Sequence, residues 1–254
     1  PYVACYRVCS RIVDSNVCQC TTGPQNLHTE RIRAAWLDYH GFPPVMESSA
    51  QFSTQRAIKI EKLKGILFDV DGTLYRQQTL RRAMAARLAR NFFLRPRAAW
   101  RSAKILSAYR HALEHLRQDA ECSDVEAAQL ELAANRSGQE REEVKTCIDR
   151  WFIREPLEIL ARHKRQGLAE FLEQARALGL RMGVVSDYAA ESKLDALGVR
   201  AYFDVIVKPG PTSRLKPHPS GLQEAMRLLQ IEPDECLFVG DRMDTDGEAA
   251  AKAG

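Results

Sequence analysis

The stretch Gly65-Ile66-Leu67-Phe68-Asp69-Val70-Asp71-Gly72-Thr73-Leu74 constrains this chain more than any other. Gly65 to Val70 is too short, and too rich in β-branched and aromatic side chains, for a helix. It predicts a buried strand with Asp69 at its carboxyl end and a turn at Gly72. In open parallel sheets, ligand sites gather at that edge. Two acids one residue apart repel each other in a crevice that excludes water, and a bound dication relieves the repulsion. In unlike surroundings one carboxylate can serve as nucleophile and the other as acid and base. For this stretch alone, a plain strand ending in an Asp-Gly turn is the competing reading.

The 254 residues suffice for a full core in one or two domains. With 45% hydrophobic and 28% charged residues, the composition is that of an ordinary globular protein. No apolar run reaches the roughly 18 residues that span a bilayer, so no membrane partner is expected. Arg7, Arg11 and Asp14 interrupt the first twenty residues, which do not read as a signal peptide; a cytoplasmic location is expected. The chain begins with Pro1 and its first methionine is Met46, so a native start at or near Met46 is expected.

Charge is unevenly placed. Between Arg76 and Arg117, eleven basic residues face the single acid Glu114, while residues 166–254 carry ten basic and fourteen acidic residues. The basic stretch suits small anions. It does not by itself indicate nucleic acid, and no such partner is expected. Of seven cysteines, Cys5, Cys9, Cys18 and Cys20 fall in the first twenty residues, but Cys-Gln-Cys fits the spacing of zinc ligands poorly. Cys236 lies in an apolar run and reads as a small buried hydrophobe.

Residues 1–60 show no sustained period beyond a short helical possibility around Thr29 to Tyr39, and no domain is assigned to them. From Thr79 to about Arg165 the signals are helical: Leu80, Met84, Leu88 and Phe92 recur at intervals of four. Ser123 before Glu126 and Ser137 before Glu140 have capping-box spacing and predict two further helix starts. Trp100, Trp151 and Phe152 are expected in the core of this helical block. His111 and His115 lie one helical turn apart without a companion motif.

Beyond residue 166 strand and helix alternate. Leu168–Leu178, Ala190–Leu197, Ser220–Leu229 and Asp244–Ala253 read as helices; Arg181–Ser186, Phe203–Val207 and Cys236–Val239 read as strands. The alternation predicts a parallel sheet with helices on both faces, a three-layer α/β, Rossmann-like architecture. A strand-helix-strand crossover needs only about 30 residues, yet 117 (186−69) separate Asp69 from Ser186. The surplus is the helical block, expected as a cap over residues 79–165, inserted in a core made of 61–78 and 166–254.

Three later phrases match the first: Val184-Val185-Ser186-Asp187, Leu215-Lys216-Pro217-His218-Pro219, and Val239-Gly240-Asp241-Arg242-Met243-Asp244-Thr245-Asp246. Each alone is an ordinary cap, surface lysine or turn. Together, in this order over about residues 62–254, they resemble the haloacid dehalogenase superfamily, and in particular its phosphoglycolate-phosphatase-like branch with a helical cap. The resemblance implies that Asp69 is the nucleophile that takes a phosphoryl group and Asp71 the acid and base. It implies that Ser186, Asp187 and Lys216 bind the phosphate. A Mg²⁺ ion would be held by Asp69, the main chain at Asp71, and Asp241, with Asp246 supporting; Asp246 is preferred to Asp244 for that place.

The activity so implied is Mg²⁺-dependent hydrolysis of a small phosphorylated metabolite through an aspartyl-phosphate intermediate. Dehalogenases of this superfamily lack the acid at the position of Asp71, so its presence favours phosphatases and phosphomutases. Two alternatives stand beside this reading: a β-phosphoglucomutase-like phosphotransferase, and a non-catalytic binding protein on the same fold. The family also continues with at least one more strand than a chain ending at Gly254 supplies. The strand at Cys236–Val239 is therefore expected to be an unprotected edge, with low stability or aggregation of the 254-residue chain. No Gly-x-x-x-x-Gly-Lys-Ser/Thr, Gly-x-Gly-x-x-Gly or His-Glu-x-x-His pattern occurs, which removes those nucleotide and zinc sites from consideration.

Overall fold

A computed structural model describes residues 62–118, 124–210 and 214–254. The helical possibility at Thr29 to Tyr39, the first four cysteines, the start near Met46 and the cap at Ser123 lie outside these residues.

The chain enters as β1 (Gly65–Phe68) and then leaves the sheet for five helices: α1 (Gln77–Leu94), α2 (Pro96–Leu116), α3 (Val125–Ser137), α4 (Arg141–Ile148) and α5 (Glu155–Leu160). It leaves and returns through one narrow neck. Tyr75 and Lys164 form an antiparallel bridge, the Arg76 amide donates to the His163 carbonyl (2.8 Å), and the Arg165 amide donates to the Leu74 carbonyl (3.1 Å). The rest is α6 (Leu168–Ala177), β2 (Arg181–Val185), α7 (Glu191–Leu197), β3 (Val205–Val207), α8 (Ser220–Leu229), β4 (Cys236–Val239) and α9 (Glu248–Ala253).

Among the described residues the sheet has four parallel strands in the order β3-β2-β1-β4, with β4 outermost on the β1 side. Successive strand residues face opposite sides. Ile66 and Phe68 pack into a cluster with Phe171 and Leu172 of α6 and Leu194 and Leu197 of α7. Leu67 packs on the other side against Leu222, Ala225, Met226 and Leu229 of α8 and Ala249 of α9. The result is the expected three-layer α/β arrangement. No helix among the described residues is long and apolar enough to cross a membrane. Cys236 is buried, and burial pushes its thiol up to about 12.

Register then places the chemistry. Phe68 stands opposite both Val184 and Val239. The three strands, β1 after Phe68, β2 after Val185 and β4 after Val239, therefore leave the sheet at one carboxyl edge.

Three local expectations are corrected. Ser137 does not open a helix: it is the last residue of α3, where its hydroxyl donates to the Ala134 carbonyl (3.3 Å). Gly138, left-handed at φ 63°, ends α3, and α4 starts after Glu140. A glycine in that conformation stops a helix regardless of the serine spacing before it. The described cap of α3 is Asp124, whose carboxylate accepts from the Ala127 amide (3.0 Å). Trp100 is 64% exposed and outside the core, whereas Trp151 is buried and Phe152 packs against Tyr109 and Tyr188. The Leu80-to-Phe92 spacing does mark a helix, but α1 buries only Leu80 of these four.

Candidate active site

Asp69 follows β1 directly, and its amide continues the ladder by donating to the Val239 carbonyl (2.8 Å). Thr73 and Leu74 turn back to donate to the Val70 carbonyl. The tightness of this turn rests on Gly72 at φ +100°, where any Cβ would overlap the Asp241 carboxylate. The Thr73 hydroxyl reaches Asp69 Oδ2 (3.3 Å).

Lys216 comes in from the loop before α8, almost fully buried. Its Nζ lies 2.6 Å from Asp69 Oδ1 and 2.6 Å from Asp246 Oδ1, and 3.4 Å from the Val185 carbonyl. Burial works against the ammonium, but Asp69, Asp187 and Asp246 outweigh it and raise the lysine's pKa. Asp246 spends its other oxygen on the amides of Asp241 (3.1 Å) and Arg242 (3.0 Å). The chain there forms a wide π-type turn (Met243–Gly247) ahead of α9, not the expected helix start at Asp244. That turn carries Asp246 inward and leaves the Asp244 side chain 67% exposed, paired with Arg242. Of the two acids weighed in the sequence, Asp246 is the one brought into the site.

Asp69, Asp241 and Asp246 each offer a carboxylate oxygen, all within 4.8 Å of one another. Burial first, then the neighbouring acids, push Asp69 up to about 8 against the pull of Lys216. Asp241 is pushed up to about 6 by burial and by Asp246. It makes no ion pair among the described residues. Four carboxylates, counting Asp71, face the two ammonium groups of Lys216 and Lys193. With all four ionised the deficit is two positive charges, met by protons when no ion is bound, and hard oxygen donors around such a deficit suit a divalent cation of the magnesium or calcium type. The residues therefore fit a dication bound by Asp69, Asp241 and Asp246. The Asp71 carboxylate is not one of the three.

Asp71 is turned elsewhere. Lys193 of α7 contacts both of its oxygens (2.6 and 2.7 Å), and the Tyr75 hydroxyl donates to Oδ1 (2.5 Å). Burial raises its pKa, but Lys193 and then Tyr75 more than offset this, so Asp71 lies below the ordinary carboxylate range. Ser186 is buried at the end of β2, where its hydroxyl accepts from the Tyr188 amide (3.3 Å). The Asp187 side chain, expected at the phosphate, is committed to holding loops instead. One oxygen accepts from the Lys216 amide (3.0 Å) and the other pairs with Arg117 (2.8 Å).

Lys193, Tyr75 and Arg117 were not legible in the sequence as site residues. Tyr75 had one available signal, its position four residues after Asp71 in a tight turn. The other two reach the site only through packing.

Comparison with known proteins gives the family. The family model for haloacid dehalogenase-like hydrolases matches residues 63–254. Pyrophosphatase PpaX of Bacillus mycoides is 27% identical over 194 residues, covering 71% of this chain and 75% of that protein. N-acylneuraminate-9-phosphatase of Mus musculus is 33% identical over 96 residues, 38% of each chain. Glyceraldehyde 3-phosphate phosphatase of Methanopyrus kandleri is 36% identical over 86 residues, covering 33% of this chain and 37% of that protein. The chain thus spans well under two thirds of the last two relatives. Among solved structures, the hydrolase YfnB of Bacillus subtilis, bound to magnesium, superposes with a TM-score of 0.53 at 16% identity, covering 76% of this chain and 86% of that one. L-2-haloacid dehalogenase of Xanthobacter autotrophicus gives 0.51 at 18% identity, covering 76% and 75%. These two likenesses concern the fold alone. With the matched family model spanning the whole described sheet and the loops at its carboxyl edge, the chain belongs to the haloacid dehalogenase-like hydrolases.

Proposed function

We propose that this protein is a Mg²⁺-dependent phosphatase that hydrolyses a small phosphate monoester through an aspartyl-phosphate on Asp69. The observation that carries the reading is the pairing of unlike carboxylates at one strand end. Asp69 belongs to a three-acid cluster with Lys216, whereas Asp71, two residues on, is held outside that cluster by Lys193 and Tyr75. Separate environments allow separate roles.

Asp69 attacks phosphorus as the ester P–O bond breaks; Asp71, ionised beside Lys193 in the free site, must take up a proton as the ester binds and then passes it to the leaving oxygen. A water then attacks the aspartyl-phosphate while Asp71 takes a proton from it, and inorganic phosphate leaves with Asp69 restored. Lys216, already 2.6 Å from Asp69, orients the nucleophile and offsets charge on the transferring group. Ser186, at the same sheet edge, offers a hydroxyl to a phosphoryl oxygen. Bound at Asp69, Asp241 and Asp246, Mg²⁺ supplies positive charge to the phosphoryl oxygens and to the acid cluster. The helices α1 to α5, with their basic excess, form the cap that selects the ester. The substrate is a small phosphorylated metabolite.

Phosphate release from a panel of phosphate esters with Mg²⁺ tests the reading. Asp69→Asn is expected to lower turnover by about a thousandfold or more, the scale seen when a covalent nucleophile is removed. Full activity in Asp69→Asn overturns the nucleophile assignment, and conversion of a sugar phosphate to its isomer without phosphate release overturns hydrolysis.

A further inference from the structure

Lys193 lies in the first turn of α7, 122 residues from Asp71 in sequence, yet its ammonium contacts both Asp71 oxygens. Among the described residues, only Lys193 and Tyr75 place a side-chain donor on that carboxylate. The same ammonium lies over the ring of Tyr188, 5.4 Å from its centroid. Tyr188 in turn packs against Phe152 (5.1 Å between centroids), and Phe152 against Tyr109 (5.2 Å). Lys193 is thus held from one side by aromatic packing that runs through Phe152 to Tyr109 of α2, and it grips Asp71 on the other. Without it, Asp71 would face the charges of Asp69 and Asp241 with Tyr75 alone to fix the plane of its carboxylate.

We propose that Lys193 is a positioning residue for the acid and base work of Asp71, setting the orientation in which that carboxylate meets the leaving oxygen. The assignment rests on the phosphatase reading above. Lys193 acts through Asp71, so its effect appears where a proton must be delivered. An alkoxide leaving group needs that proton, whereas p-nitrophenolate, a much weaker base, departs without it.

The test compares kcat/KM for glycerol phosphate and for p-nitrophenyl phosphate, with Mg²⁺, in the wild-type chain and in Lys193→Met. The ratio kcat/KM covers only steps up to formation of the aspartyl-phosphate, so slow hydrolysis of that intermediate does not hide the contrast. The alkyl ester is expected to lose about tenfold or more beyond any loss with the aryl ester. Equal losses, or none, overturn the proposal. Lys193→Met is then added to Asp71→Asn and measured with both esters. No further loss is expected, because no acid remains to be oriented; a further loss of about tenfold means direct contact with substrate and overturns it. This double variant removes both partners of the ion pair together, so it serves even where Lys193→Met alone does not fold. Absence of hydrolysis by the wild-type chain overturns the phosphatase reading and this assignment together. Normal wild-type turnover with a flat contrast in Lys193→Met overturns this assignment alone.

Discussion

Glycine does at two positions what no other residue can. A Cβ on Gly72 would lie on the Asp241 carboxylate, and one on Gly240 would lie 2.6 Å from Asp246, so both acids reach the site across backbone that carries no side chain. Gly72→Ala is expected to cost about 1–3 kcal/mol from its positive φ alone, with the displacement of Asp241 in addition. Gly138→Ala is the matched comparison, because Gly138 is also left-handed at φ 63° but nothing lies within 4 Å of its added Cβ. It is expected to cost about 1 kcal/mol. Urea denaturation reads the stability of both. Stabilisation by Mg²⁺ is expected to survive in Gly138→Ala and to be lost in Gly72→Ala; its survival in Gly72→Ala would show that Asp241 is not needed for the ion. The glycines themselves were legible as turns. Their steric meaning was not, because it depends on acids 169 (241−72) and 6 (246−240) residues away.

At the scale of elements, one ion-pair chain ties the helical block to two core loops. Arg117, just past α2, pairs with Asp187 (2.8 Å) and donates to the Lys216 carbonyl (2.5 Å), and Glu114 lies between Arg117 (3.1 Å) and Arg242 (3.2 Å). The first link is nearly buried, with the Arg117 and Asp187 side chains 10% and 11% exposed, while those of Arg242 and Asp244 are 41% and 67% exposed. Burial sets the ranking. Arg117→Met leaves Asp187 without its cation and is expected to destabilise by about 2–4 kcal/mol and to lower turnover through the Lys216 loop. Asp244→Asn is expected to cost less than about 1 kcal/mol and leave turnover unchanged. Equal effects in urea melts and activity assays would place no special weight on the inner link. Elements were read well where one period persists, as in α8 and β2. They were misread where the deciding contact is distant: Trp100 has a helical neighbourhood but no partner face, and Ser137 has capping spacing but sits on the wrong side of Gly138.

For the molecule as a whole, the acid cluster makes stability depend on pH and metal together. Asp69 and Asp241 have folded values of about 8 and about 6 against 3.8 in the unfolded chain. Between those limits the folded state holds protons that the unfolded state has released. Their contribution to metal-free stability is therefore fully present below about pH 4 and is lost as pH rises toward about 8. Asp71 has the opposite sign: its depressed value gives stability that is lost only as pH falls below about 4. Mg²⁺ must displace the protons on Asp69 and Asp241, so its stabilising effect is expected to grow with pH. Thermal melts should show a Mg²⁺-induced rise in Tm larger by roughly 3 °C or more at about pH 8 than at about pH 5.5. An equal rise at both would show that the cluster is ionised without metal. The residue order alone determined the strand ending in Asp69, the alternation that makes a parallel sheet, and the four acid, hydroxyl and lysine positions at its carboxyl edge. The strand and the alternation follow from local periods, the acid, hydroxyl and lysine positions were legible only as a set through the family resemblance, and strand register then brings the strand ends together. Only the tertiary structure decided that Lys193 grips Asp71, that Asp187 holds Arg117 and the Lys216 loop, and that Asp246 turns inward while Asp244 does not. Those choices depend on the angle at which one element packs on another and on which charges that packing desolvates, and no local pattern carries either quantity.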